Sequence, residues 1–162
     1  MDATYNTLFH ESFPQFLHRY VPFAPVWIHE GLATHYGTAQ ATRQGLVFGQ
    51  PERSFYRLVT LAAEAKDLIP LRELMTQSLR QFKSNTLRAG GQVDHRSLSY
   101  AQSYTLCKYM LQDEPGRAHL RKYLRTLARA ESSKEANRVT DDHFPKKTLD
   151  AMVPGWLALV RR

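Results

Sequence analysis

The stretch Thr7–Tyr36, TLFHESFPQFLHRYVPFAPVWIHEGLATHY, decides how the chain is read. Leu8, Phe9, Phe13, Phe16, Leu17 and Tyr20 recur at helical spacing and predict a helix over 4–20. Pro14 falls inside it. A proline in a helix interior removes the bond from its own nitrogen to the carbonyl four residues back, here that of His10, at about 3 kcal/mol or a kink. A second reading avoids that cost. Ser12-Phe13-Pro14-Gln15 has the form of a capping box, which starts the helix at Ser12 and leaves His10 and Glu11 in a lead-in. The apolar spacing upstream, at Leu8 and Phe9, favours the longer, kinked helix. Pro22 and Pro25 punctuate a turn. A second helix is predicted from Val26 to Tyr36, with Gly37 as its C-cap.

On a helix, residues four apart share a face. An HExxH motif uses this to set two imidazoles on one zinc, with the Glu beside the first serving as general base. Here His10 and Glu11 are present, but the position of the second His is Pro14, which has no donor to offer. Trp27-Ile28-His29-Glu30-Gly31-Leu32-Ala33 follows on the second helix. Together the two motifs resemble the gluzincin class of zinc metallopeptidases (peptidase-MA-like), in which an HExxH helix is followed by a W-x-x-E-G-L-A helix whose Glu is the third metal ligand. The resemblance implies His10 as first ligand, Glu30 as third ligand, Glu11 as base, zinc as cofactor and a peptide or protein as substrate. Pro70-Leu71-Arg72-Glu73-Leu74 and Ser99-Tyr100-Ala101-Gln102-Ser103-Tyr104 are similar to the downstream half of such domains, in the expected order, and extend the resemblance to roughly residues 4–130. From the family position, Tyr100 is the candidate to hydrogen-bond a developing oxyanion, with Tyr104 one turn on as its substitute. Thr34, one turn after Glu30, is the candidate to orient that carboxylate.

A catalytic zinc ordinarily keeps three protein ligands and one water. His18 stands two turns from His10 and about 80° further round, His29 adjoins Glu30 and diverges from it, and His35 lies about 140° round from Glu30. None is well spaced to replace the missing imidazole. Two outcomes stay open: a metallopeptidase impaired by Pro14, with zinc weak or absent, or an inactive pseudo-peptidase that serves as a peptide- or protein-binding module. Packing readings stand beside the chemical ones. His10 equally suits a buried histidine bonded to Glu30, and Glu11 an exposed or helix-terminal acid. Trp27 reads as core, Tyr100 and Tyr104 as part of a core stripe, and His18, His95, His119 and His143 as surface.

Further along, residues 38–53 read as a loop with at most a short strand or hairpin. Helices are predicted over Ser54–Lys66, from Pro70 through Leu79, and from a capping box at Ser99 to about Gln112. Residues 83–97 read as the longest loop. Pro115-Gly116 marks a break before a helix holding Leu120, Tyr123, Leu124, Leu127 and Ala128. Ser132-x-x-Glu135 opens a short helix, and Pro145 opens the last one, which Pro154-Gly155 is expected to interrupt. The fold class is mainly α: one helical domain over 1–162, resembling the helical part of a gluzincin. In that class a β-rich portion precedes the active-site helix. Because the motif here begins nine residues from the start, the expectation is a chain without that portion.

At 162 residues, with 43% hydrophobic and 23% charged side chains, the chain can bury a core. Its one cysteine, Cys107, sits in an apolar helical pattern and reads as a buried thiol. No apolar run approaches the roughly 20 residues of a membrane helix. No basic-then-apolar leader is visible in MDATYNTLFHES, and the compartment stays open. The formal net charge of +7 suits anionic partners, but no nucleic-acid motif is present. The cluster Arg117, Arg121, Lys122, Arg125 and Arg129 reads as the solvated face of an amphipathic helix.

Overall fold

The computed structural model describes residues 3–48, 52–84, 86 and 93–161, leaving out the side chains of 3–11, 40, 41 and 46. The chain is mainly helical, as its periodicity predicts. Helix α1, Ala3–Tyr20, runs unbroken through Pro14, so Ser12 lies inside it and caps nothing. The chain turns through Val21–Pro25, where Ala24 N–H donates to the Val21 carbonyl (3.1 Å). Helix α2, Val26–Gly37, folds back on α1. Leu17 and Val21 are buried at the closed end of this helical hairpin, and Phe13 stacks on Tyr36 with ring centroids 4.7 Å apart at the open end. The end of α2 does not use glycine as its cap. Gly37 is still helical, and Thr38 closes the helix by donating its N–H to the Thr34 carbonyl (3.0 Å) and its hydroxyl to the His35 carbonyl (2.8 Å).

Residues 40–47 form a small antiparallel hairpin, β1 (Gln40–Thr42) and β2 (Gly45–Val47), with Thr42 opposite Gly45. Gly45 takes φ +126°, a conformation that favours glycine and lets the turn be tight. Helix α3, Arg53–Glu64, is capped by Glu52, whose carboxylate accepts from Ser54 N–H and from the Ser54 hydroxyl. The predicted helix from Pro70 through Leu79 divides in two. Helix α4 spans Leu71–Thr76 with Pro70 as its N-cap, and the four-residue α5 spans Leu79–Phe82. The division has a local cause: Ser78 and Gln81 form a reciprocal capping box, which requires extended backbone just before it, at Gln77.

Helix α6, His95–Leu111, begins four residues before the expected Ser99. Asp94 is its cap and accepts from Ser97 N–H at 2.8 Å, a bond that holds the Asp94 carboxyl below its usual range. Ser99 and Gln102 are buried helical residues and form no capping box. Gln102 instead pairs with the Ile69 main chain through both ends of its amide, at 2.9 Å each. The loop predicted over 83–97 is shortened accordingly; its residues 85 and 87–92 lie outside the described part. Helices α7 (Glu114–Leu127) and α8 (Ser133–His143) start from the caps Asp113 and Ser132. Helix α9, Lys146–Val160, continues through Pro154 where an interruption was expected. Trp156, 1% exposed, anchors it, donating its indole N–H to Thr105 on α6 at 3.0 Å. Burial of Trp156 and Val160 offsets the backbone bond that Pro154 cannot make.

Helix α6 is the central post, touched by α2, α3, α5, α7 and α9. Trp27, Tyr104, Tyr123, Phe82, Phe144 and Trp156 fill the core around it. Cys107 is fully buried, which pushes its thiol pKa far up and confirms the buried-thiol reading. The surface reading of the histidines fails for three of the four. His95 is buried and sits 2.9 Å from the Gln77 amide. His119 and His143 are half-buried and meet edge to face, 5.8 Å between centroids. Only His18 is exposed.

Gly31 permits a close contact between α2 and α6. A Cβ there would lie 2.5 Å from Cys107 Sγ and 2.6 Å from the Ser103 carbonyl oxygen. Gly31→Ala is therefore expected to destabilise by about 1–3 kcal/mol despite the helix propensity gained, lowering Tm by roughly 2–4 °C for each kcal/mol in a chain of this length. Cys107→Ala should rescue it only in part, because the Ser103 clash is with main chain. Unchanged Tm in thermal denaturation of Gly31→Ala would contradict the packing.

Burial lowers the pKa of His35 to about 4, with Lys108 adding to the effect, and burial likewise lowers His119 and His143. A base whose folded pKa lies below its unfolded value of 6.5 binds more protons when unfolded. Its contribution to stability is thus complete above about pH 6.5 and is lost as pH falls toward about 4. Denaturant unfolding across that window should show falling stability, and His35→Leu should fall less steeply than the parent. Parallel curves would remove His35 from the account.

Candidate functional site

The two motif helices pack together, and α2 packs in turn on α6. His10 and Glu11 belong to the backbone of α1, but their side chains lie outside the described residues, as does any contact between His10 and Glu30. Pro14, one turn beyond His10, is half-buried within α1. An unbroken helix keeps position 14 one turn from position 10, the place a second imidazole would take, and proline supplies no donor atom there.

On α2, Trp27, Ile28, Gly31, Leu32 and Ala33 are buried. Trp27 is fully buried, stacked with Tyr123 and edge-on to Phe144, so it belongs to the core. Glu30 is half-buried. The tight register set by Gly31 against Ser103 brings the turn carrying Glu30 beside the preceding turn of α6, where Tyr100 stands. Burial raises the Tyr100 hydroxyl pKa above its ordinary 10.0, and the nearby Glu30 carboxylate raises it further. Arg96, one turn earlier on α6, lies beside the same hydroxyl and opposes the rise. The other flank of Tyr100 is closed by Phe82, edge to face at 5.0 Å. Glu30, Tyr100 and Arg96 thus form a polar patch at the α2–α6 junction: a carboxylate, a hydroxyl that stays protonated at neutral pH, and a cation.

The remaining candidates are placed elsewhere. Tyr104 is fully buried, and its hydroxyl accepts Glu52 N–H at 3.3 Å. Its ring lies near Phe55 and Tyr56. Tyr104 therefore ties the start of α3 to α6 and does not present its hydroxyl to a cleft. Thr34 is half-buried one turn after Glu30, with no hydrogen bond to Glu30 among the described residues. His35 is held neutral with its ring edge-on to Tyr36 at 5.3 Å, and its Nδ1 finds no hydrogen-bond partner among the described residues. Among the described residues, which do not include the His10 and Glu11 side chains, no three His, Cys, Asp or Glu converge in a way that could hold a metal ion. His18, His29 and His35 therefore do not assemble such a group with Glu30.

Arg96 is absent from the sequence-based set. Its signal was the spacing of four to Tyr100, concealed by starting the helix at Ser99, which leaves Arg96 in a loop. No helix of the described residues is long and apolar enough to cross a membrane. Comparison of the chain with family models, with curated proteins and with solved structures returns no match.

Proposed function

We propose that this chain is a zinc-metallopeptidase-like domain whose substrate cleft follows the α2–α6 junction, and that as it stands it binds peptides better than it cleaves them. The observation that carries the reading is Glu30: a half-buried carboxylate on the W-x-x-E-G-L-A helix, set beside the protonated hydroxyl of Tyr100. Such a pair matches a peptide bond. The Tyr100 hydroxyl can donate to a peptide carbonyl, and the Glu30 carboxylate can accept a peptide N–H. Arg96 adds a cation beside them.

Zinc, where bound, would supply a water acidic enough to be deprotonated at neutral pH. His10 and Glu30 would hold it, with Glu11 beside His10 as the base. These residues do not make a complete catalytic site, since two protein ligands replace the usual three. No hydrolytic step is assigned through the metal. That shortfall favours the second reading, a pseudo-peptidase that keeps the fold and the peptide-binding cleft. Its specific support is that Pro14 lies within continuous helix.

Pro14→His tests both readings. It restores an imidazole four residues after His10 and returns a backbone donor to the His10 carbonyl, so stability should rise by up to about 3 kcal/mol, with more from bound zinc. The measurements are zinc stoichiometry by elemental analysis, Tm with and without chelator, and casein hydrolysis. The parent should carry little zinc and cleave slowly or not at all, and Pro14→His should gain both. A parent that already holds one tight zinc and cleaves as well as the variant would sink the ligand assignment. A variant that gains neither zinc nor cleavage would sink the metallopeptidase reading and leave the peptide-binding one.

A further inference from the structure

Helix α7 turns Leu120, Tyr123 and Leu127 into the core, which leaves its basic side chains on the outer face. These do not simply spread into solvent. Arg117 and Arg121 both pair with Glu114, so the first half of the helix holds its arginines in ion pairs. The second half does not: among the described residues, no ion pair engages Lys122, Arg125 or Arg129. Lys122 and Arg125, three residues apart, share one side of the helix, and Arg129 follows in the turn just past its end. They line an open groove of about 340 Å³ together with Ala118, Arg121 and Thr126, and no carboxylate enters that lining.

We propose that this groove docks the phosphate backbone of nucleic acid, held by Lys122, Arg125 and Arg129 without reading base sequence. Three observations select that partner. The cations form a row, which suits a polymer with closely spaced charges; duplex DNA carries one charge per about 1.7 Å of axis. The groove has no aromatic or large apolar lining residue, so it offers neither a platform for base stacking nor an apolar wedge for a bilayer. The helix is anchored from beneath by the buried Tyr123, whose hydroxyl is 2.8 Å from Thr140 on α8, so the backbone that carries Lys122 and Arg125 is in place before binding. Phosphate contacts of this kind position a strand and carry no sequence information.

The test is fluorescence anisotropy with a labelled random-sequence DNA duplex of about 20 bp, titrated with the whole chain at several salt concentrations. Three phosphate contacts predict a slope of log Kobs against log salt of about −2.7. Each single substitution, Lys122→Gln, Arg125→Gln or Arg129→Gln, should flatten the slope by about 1. The triple variant should bind at least about tenfold more weakly at low salt, and scrambling the duplex should change nothing. A charge-matched control carries Arg53→Gln, Arg57→Gln and Arg161→Gln, which line a different groove on α3 and α9; it should keep the parent affinity. Tm of every variant checks that it folds. Equal loss in the control would overturn the proposal, reducing the effect to net charge. Binding to anionic vesicles or to polyglutamate but not to the duplex would overturn it in favour of a membrane or an acidic protein.

Discussion

Two helices can approach backbone to backbone only where side chains leave room, and between α2 and α6 the room is made at Gly31. On α2 it faces a strip of α6 formed by Ser103 and Cys107, both fully buried. With no Cβ in the way, α2 sits almost on the α6 main chain, and the rest of the hairpin follows. Trp27, one turn earlier, is carried in against Tyr123 and Phe144, which binds α2 to α7 and α8 as well. Glu30, next to Gly31, is carried to the edge of the same contact, within electrostatic reach of Tyr100. A single added methyl at residue 31 would open the contact that buries the tryptophan and the one that brings carboxylate and hydroxyl together.

Polar side chains inside the core then fix what apolar packing leaves loose. Hydrophobic burial is non-directional, whereas an unpaired buried polar group is costly and a paired one specifies geometry. Gln102 binds both main-chain groups of Ile69 and sets the entry to α4. Thr105 receives the indole N–H of Trp156 and sets α9. Ser99 donates to Gln77, whose amide meets His95, and so holds the joint between α4 and α5. All three anchors lie on α6, which is why that helix is rich in small and polar residues although most of it is buried. A helix with polar residues all round would ordinarily read as solvent-exposed; here Ser99, Gln102 and Thr105 are each answered by a partner from another element, while the Ser103 hydroxyl has no hydrogen-bond partner among the described residues.

That inversion explains what was legible in the sequence. The strongly amphipathic segments α3, α7 and α8 follow from periodicity, and α8 also from Ser132 as its N-terminal signal; the expected break at Pro115-Gly116 instead falls inside the first turn of α7, which Asp113 caps. Helix α1 was legible from the apolar spacing on both sides of Pro14. The start of α6 was not, because Ser99 and Gln102 mimic a capping box while their side chains are engaged by Gln77 and Ile69, which no local pattern announces. The joint at Gln77 was hidden because Leu71–Phe82 carries one apolar pattern, and only the Ser78–Gln81 cap breaks it. At the candidate site, Tyr100 was reachable from the downstream motif, but Arg96 was lost with the misplaced helix start. Tyr104 was assigned a chemical alternative because spacing alone cannot distinguish a hydroxyl facing a cleft from one spent on Glu52 N–H.

The W-x-x-E-G-L-A segment can now be divided by what each residue does in this chain. Trp27, Ile28, Leu32 and Ala33 are buried and need only the core to account for them. Gly31 needs only the backbone of α6. A helix that had lost every chemical duty would still be held to those five positions by packing, so their presence argues for the fold and is silent about reaction. Glu30 is different. It sits half-buried near a tyrosine whose hydroxyl it makes harder to ionise. The weight of any chemical reading therefore rests on Glu30, the one signature residue of the segment that the core does not account for.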